Sequence, residues 1–159
     1  MRRPTRVYDG SVAYLSIDAL ARLQVLEHLV RTSRAPAVSQ VAAELGVTDR
    51  ETAEAFDRLE KVHAFVLEEG TRRIEMAPPF SAVETSHVVS DGEREWFSSC
   101  AWEALGLLPL LGCDGTIRSV CPDCEAQIDL VVKGKETTGD VIFHIAVPAK
   151  HWWADIRFT

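Results

Sequence analysis

The chain of 159 residues lacks several things at once, and each absence removes a class of function. No apolar run approaches the ~20 residues of a membrane span. The basic start, Met1-Arg-Arg-Pro-Thr-Arg6, leads into Tyr8, Asp9, Gly10 and Ser11 rather than an apolar signal region, which predicts a cytoplasmic protein with no membrane partner. There is no basic excess. Net charge is −7; residues 1–80 carry 11 Lys/Arg against 12 Asp/Glu and residues 81–159 carry 6 against 12. Neither half offers a phosphate-neutralising surface, whereas the acidic second half tolerates a cation. Internal repeats and low-complexity tracts are absent too. Cysteine is scarce, with four residues all between Cys100 and Cys124. In a reducing compartment such a cluster points to metal, redox or catalytic chemistry rather than a disulfide framework. What remains is a globular composition, 47% hydrophobic, long enough to bury a core without staples.

The first half has helical periodicity. Ile17, Leu20, Leu23, Val25, Leu26, Leu29 and Val30 recur at the spacing of one helix face between Ser16 and Arg34. Pro36 interrupts the pattern, and Ser39 to Gly46 reads as a short second helix ended by glycine. Thr48 or Asp49 caps a third, through Ala53, Phe56, Leu59 and Val62. Phe65 to Met76 then reads as a hairpin turning at Glu69-Gly70. Three helices and a hairpin make a winged-helix pattern for a first domain, residues 1–80, bounded by the turn-rich Ala77-Pro-Pro-Phe-Ser81.

A winged helix invites a DNA-reading third helix. Asp49 to Lys61, however, holds five acids and three bases, which repels a phosphate backbone. Arg72 and Arg73 in the hairpin are the contrary signal. The charge pattern disfavours nucleic acid and favours a packing or dimerisation module within a homo-oligomer.

The second domain, residues 81–159, reads as a smaller α+β unit. Val83 to Val89 predicts a strand, and Ser90-Asp-Gly-Glu93 matches a capping box for a helix from Asp91 to about Leu105, weakened and ended by Gly106 and Pro109. Gly115–Cys121, Ala126–Val132 and Asp140–Val147 are β-rich runs of an antiparallel meander, with Lys133 to Gly139 as a polar turn and Trp152, Trp153 and Phe158 closing the sequence.

Cys100 and Glu103, three apart on the predicted helix, face one direction, with Trp96 and Ala104 on the adjoining turns. A carboxylate disfavours a thiolate, and a position deep in a helix gains nothing from the N-terminal dipole. The pair therefore suits a soft metal that displaces the thiol proton while the acid carries or relays a proton. The bland alternative makes Cys100 a small buried hydrophobe. Cys113, before Asp114-Gly115, sits in a turn. Cys121-Pro-Asp-Cys124 has the form of a metal knuckle, but a zinc site wants four ligands, leaving Cys100, Cys113, His144 and His151 as the available partners. A half-site that stabilises a turn is the alternative. His28, His63 and His87 read as core or surface residues.

Ser99-Cys-Ala-Trp-Glu-Ala-Leu105, then Leu108-Pro-Leu-Leu-Gly112, then a strand leading to Cys121, together resemble the organomercurial (alkylmercury) lyase family. The resemblance covers most of the chain, since that family also has a winged-helix-like N-terminal domain. It implies capture of an organomercurial's mercury by two cysteines, protonation of the carbon by a neighbouring acid, and release of hydrocarbon and Hg(II). Cys100 would match the first cysteine and Glu103 the acid, which in the family is usually aspartate. Cys121 would match a structural cysteine, and Cys124 is additional, so that the two form a candidate structural knuckle. No organic cofactor is implied; the metals expected are Hg(II) or a structural zinc. The family's second mercury-binding cysteine is expected at Thr159 or just beyond it, so a C-terminally incomplete domain is one reading. The alternatives carried forward are a non-enzymatic thiolate protein binding zinc, copper or mercury, and a winged-helix regulator.

Overall fold

The computed structural model describes residues 15–134 and 136–157; the basic N-terminal run, Phe158 and Thr159 lie outside them. The chain divides into two compact units between Ala77 and Pro78.

The first unit contains the three expected helices. Helix α1 (Ile17–Thr32) starts at Ser16, whose hydroxyl accepts from the Ala19 amide. Helix α2 (Val38–Leu45) stops at Gly46, which takes the left-handed conformation that ends a helix at little cost. Helix α3 (Asp49–Lys61) starts in a capping box: Thr48 accepts from the Glu51 amide, and Glu51 accepts from the Thr48 amide at 2.9 Å. The buried face of α1 is Ala21, Val25 and Leu29, narrower than the apolar stripe suggests, and Leu23 is exposed. These residues meet Val41, Ala42, Ala55, Phe56 and Leu59, and the Phe56 and Phe65 rings stand edge to face at 5.3 Å. Strands β1 (Val66–Leu67) and β2 (Ile74–Ala77) pair antiparallel as the hairpin. Arg72 forks onto the Asp57 carboxylate at 2.9 Å, Arg73 pairs with Glu68, and Arg58 with Asp18. Arg58, Arg72 and Arg73 are thus each paired with a carboxylate.

The second unit departs from expectation at the point that matters. Ser90-Asp-Gly-Glu93 is a strand-to-strand turn and not a helix cap. The Asp91 carboxylate accepts from the Glu93 and Arg94 amides at 2.9 and 2.7 Å, and Gly92 supplies a φ of 90°. The turn joins β4 (Val88–Ser90) to β5 (Glu95–Ser98), so Trp96 lies on a strand rather than on a helix. The physical reason is pairing across strands: Trp96 and Ser98 point inward and β5 gains neighbours on both sides, which outweighs a local capping signal.

Helix α4 begins only at Ala101 and runs to Leu111. It passes through Pro109, whose missing N–H falls in the last turns, and it ends at Gly112 in the left-handed conformation. Strands β3 (Phe80–Ser81), β6 (Gly115–Val120), β7 (Gln127–Lys133) and β8 (Glu136–Thr138) complete an antiparallel sheet in the order β3-β5-β4-β6-β7-β8. Strand β8 occupies the stretch read as a polar turn. Asp140–Val147 forms no strand, and Val141, Ile142, Phe143 and Ile145 are exposed. Helix α4 lies on β4, β5 and β6, burying Ala104, Leu107 and Leu108 over Val89, Trp96 and Ile117. Gly115 is required here, since a side chain would strike the Ser90 carbonyl of the adjacent strand. A short 3₁₀ helix, Ala149–Ala154, follows, with the Trp152 indole donating to the Val147 carbonyl at 2.6 Å.

Candidate active site

The shift of the helix start changes the surroundings of Cys100. Instead of lying inside a helix, it is the N-cap of α4, with extended backbone (φ −155°, ψ 173°) and its carbonyl accepting from the Ala104 amide at 3.0 Å. Cys-Ala-Trp-Glu is therefore a capping-box spacing in which a thiol stands where serine or threonine is usual. No short capping hydrogen bond reaches the larger sulfur atom, yet the Glu103 and Trp102 amides face it and favour its thiolate.

Glu103 turns back toward the cap, and the Cys100 thiol donates to its carboxylate across 3.8 Å. Both side chains are half-buried, and burial is the dominant influence on both. It pushes the Cys100 thiol up, reinforced by the nearby Glu103 charge and by the hydrogen bond to it. Burial likewise pushes the Glu103 carboxyl up, against the Ser99 and Cys100 hydrogen bonds that stabilise its ionised form. The result is a protonated thiol beside an acid biased toward holding its own proton.

The platform beneath this pair is fixed by β3 and β5. Ser98, fully buried, donates its hydroxyl to the Pro79 carbonyl at 3.0 Å, and the Ser99 hydroxyl donates to the Phe80 carbonyl at 3.1 Å while also reaching Glu103. The Pro78-Pro79 bond is cis. Glu103 opens onto a shallow groove of roughly 340 Å³ lined by Pro78, Pro79, Trp102, Gly106 and Leu110. Trp102 and Leu110 are 56% and 69% exposed, and the Trp102 ring lies 5.7 Å from that of Phe143. An apolar trough with one acid in its wall, and a thiol 3.8 Å from that acid, can hold a small organic group while offering sulfur and a proton. Ser99 and the groove walls were missed by sequence reasoning, which treated Pro78-Pro79 only as linker; the hydroxyl immediately before Cys100 was the available signal.

The other cysteines do not join the pair. Cys113 follows the far end of α4, and thirteen residues at the helical rise put it about 18–20 Å from Cys100. Cys121 leaves β6 at the same end of the sheet at which Cys100 leaves β5. Ser98 bonds to His87, the residue before β4 (amide to carbonyl, 2.9 Å), and His87 Nδ1 meets Ser119 Oγ at 2.8 Å, so each cysteine lies two residues beyond one row. Two strand spacings, about 10 Å, separate those strand ends. The Cys121-Pro-Asp-Cys124 turn is closed by Cys121 N donating to Ala126 O and Glu125 N to Cys121 O, both 2.9 Å. Among the described residues no three His, Cys, Asp or Glu side chains form a group able to hold a metal ion. Two sulfurs alone do not meet the four-ligand demand of structural zinc.

Among the described residues no helix is long and apolar enough to cross a membrane. In comparisons with known proteins, the alkylmercury lyase family (MerB) matches over residues 80–159. Among solved structures, the mercury-bound form of MerB2 is similar with a TM-score of 0.62 at 21% identity, over 77% of this chain and 58% of that one. That likeness shows the α+β fold, and the chain spans under two thirds of the MerB2 length. No curated protein matches significantly in sequence.

Proposed function

Since the chain belongs to the alkylmercury lyase family, we propose that it cleaves carbon–mercury bonds by protonolysis, with Cys100 taking the mercury and Glu103 supplying the proton. The observation that carries this reading is the half-buried thiol–carboxyl contact of 3.8 Å, whose Glu103 lines an apolar groove. The substrate is a small organomercurial, R–Hg–X. Its mercury displaces the Cys100 proton, which leaves with X, so the raised thiol is no obstacle: the metal holds the sulfur ionised once bound. The Trp102 and Leu110 side of the groove takes R.

Glu103, whose hold on its proton burial strengthens, then donates to the carbon attached to mercury. The Hg–C bond electrons take up that proton, R–H leaves, and the new carboxylate stands beside Hg(II). Positioning is supplied by the cap geometry, since Cys100 and Glu103 are the ends of one helical turn and need no long-range adjustment. Ser99 steadies the carboxylate left behind. The second mercury thiolate expected from the family falls at Thr159 or beyond, outside the described residues. The protein requires no organic cofactor, works in the cytoplasm, and uses its first unit for packing rather than for nucleic acid; the carboxylate-bound Arg58, Arg72 and Arg73 support that last point.

The test is headspace detection of hydrocarbon from a methyl- or phenylmercury compound, with circular dichroism to verify folding. Cys100→Ser abolishes release with the fold retained. Turnover in Cys100→Ser equal to that of the unaltered protein would refute the assignment.

A further inference from the structure

The chemistry above leaves the Cys121–Cys124 turn unused, although its geometry is well defined. It links β6 and β7, whose six consecutive residue pairs from Gly115↔Val132 to Val120↔Gln127 fix both ends of the turn. Glu125 adopts a φ of 58°, which folds the chain back, and the two hydrogen bonds between Cys121, Glu125 and Ala126 close it. One tight turn, closed at both ends, thus carries both thiols within four residues. Cys121 is partly exposed and Cys124 exposed. The donor set is soft, convergent, open to solvent and two in number.

That number selects the ion. Zinc in a structural site takes four ligands. Among the described residues no group of three His, Cys, Asp or Glu side chains could hold a metal ion, so Asp123 and Glu125 do not complete the pair and zinc would be left mostly in water. Thiolates favour soft ions, and Hg(II) is satisfied by two sulfurs on opposite sides. Reaching that arrangement needs only a side-chain rotation of the exposed Cys124.

We infer that Cys121 and Cys124 form a second soft-metal site, a two-thiolate chelate for inorganic Hg(II), separate from the Cys100–Glu103 pair. The inference rests on the lyase reading only for the source of the ion. Among the described residues Cys121 and Cys124 form no group of three metal-holding side chains with Cys100 or Glu103, so the two sites are separate. A small soluble thiol, RSH, carries it. In the exchange RS–Hg–SR meets the two protein thiols; two S–Hg bonds break, two form, and two protons pass from the protein to the departing thiolates. No electrons are transferred. The gain is chelation, since the second sulfur is already in place when the first has bound.

The experiment uses the full chain carrying Cys100→Ser and Cys113→Ser, which keeps only this pair and removes the proposed catalytic sulfur. Mercuric chloride is added in the presence of excess glutathione, and bound metal and alkylatable thiols are counted by intact mass. The expected result is one Hg(II) per monomer with both thiols protected. Retention against glutathione should be roughly 10²–10⁴-fold better than in the same protein with Cys124→Ser. Because Cys124 is exposed, that variant keeps its fold, which circular dichroism verifies. Equal retention in the Cys124→Ser protein overturns the inference, as does mercury that links two protein chains. Stoichiometric zinc that Hg(II) does not displace also overturns it. Failure of the lyase reading shows up elsewhere, as an unaltered protein that releases no hydrocarbon.

Discussion

Glu103→Gln separates the electrostatic role of the carboxyl from its role as acid. In the folded protein the Glu103 charge and its hydrogen bond with Cys100 both oppose ionisation of the thiol. Two charges about 4 Å apart interact by about 1 kcal/mol in water and about 4 kcal/mol at an effective dielectric of 20. With both groups half-buried and solvent-screened, a value near 1.5 kcal/mol is reasonable. That corresponds to about a tenfold rise in the thiolate population when the charge is removed. A more acidic thiol is also a weaker nucleophile, and a Brønsted slope of about 0.4–0.5 returns roughly a factor of three. Alkylation of Cys100 in Glu103→Gln should therefore be about threefold faster.

The sign depends on pH. Burial raises Glu103, so at low pH it is protonated in the unaltered protein and exerts no charge on the sulfur. The variant-to-parent rate ratio begins near one, climbs as pH passes through the Glu103 titration, and then levels. Iodoacetamide labelling with peptide-resolved mass spectrometry isolates Cys100 from the other three cysteines. A ratio that stays at one across pH, or a slower variant, would show that Glu103 does not govern the thiol and would undo the paired-site reasoning. Hydrocarbon release in the same variant should be lost, since glutamine has no proton to give.

Three further outcomes follow from the same geometry. Ser99→Ala removes a hydrogen bond that favours ionised Glu103; with the hydroxyl shared with the Phe80 carbonyl, the loss is worth about 1 kcal/mol. The alkaline limb of the hydrocarbon-release profile, where the acid loses its proton, should move to higher pH, with activity there about fivefold above the parent. Trp96→Ala, which empties a 2%-exposed site beside Phe80, should cost about 3–5 kcal/mol and lower the urea midpoint of the second unit; a loss below about 1 kcal/mol would contradict its place in the core. Burial lowers His87, so the unfolded chain binds that proton more readily. Stability should be fully present above about pH 6.5 and fall as pH drops through the lower folded value, and His87→Gln should flatten that acid slope in urea titrations.

The first unit was legible because its signals are local. Periodicity, the Thr48–Glu51 capping box and Gly46 act within a few residues of one another, and helices α1–α3 and the hairpin arise where those patterns place them. In the second unit Ser90-Asp-Gly-Glu93 carried two local meanings, a helix cap and a tight turn. The choice was made by β5 pairing with β3 on one side and β4 on the other, which no local pattern announces. Asp140–Val147 failed as a strand for the complementary reason, alternating residues without a partner to pair with.

That Cys100 and Glu103 meet follows from their spacing alone. A spacing of three brings the two side chains together whether the residues lie inside a helix or at its cap, so the contact survived a ten-residue error in where the helix begins. Tertiary structure decided what that contact is worth. Moving Cys100 to the cap gave it amide neighbours, the β3–β5 platform added Ser99, and packing of α4 on the sheet half-buried Glu103 beside an apolar groove. Proximity along a chain is set by backbone geometry, but burial, which raises both groups, is a property of whatever the fold places around them.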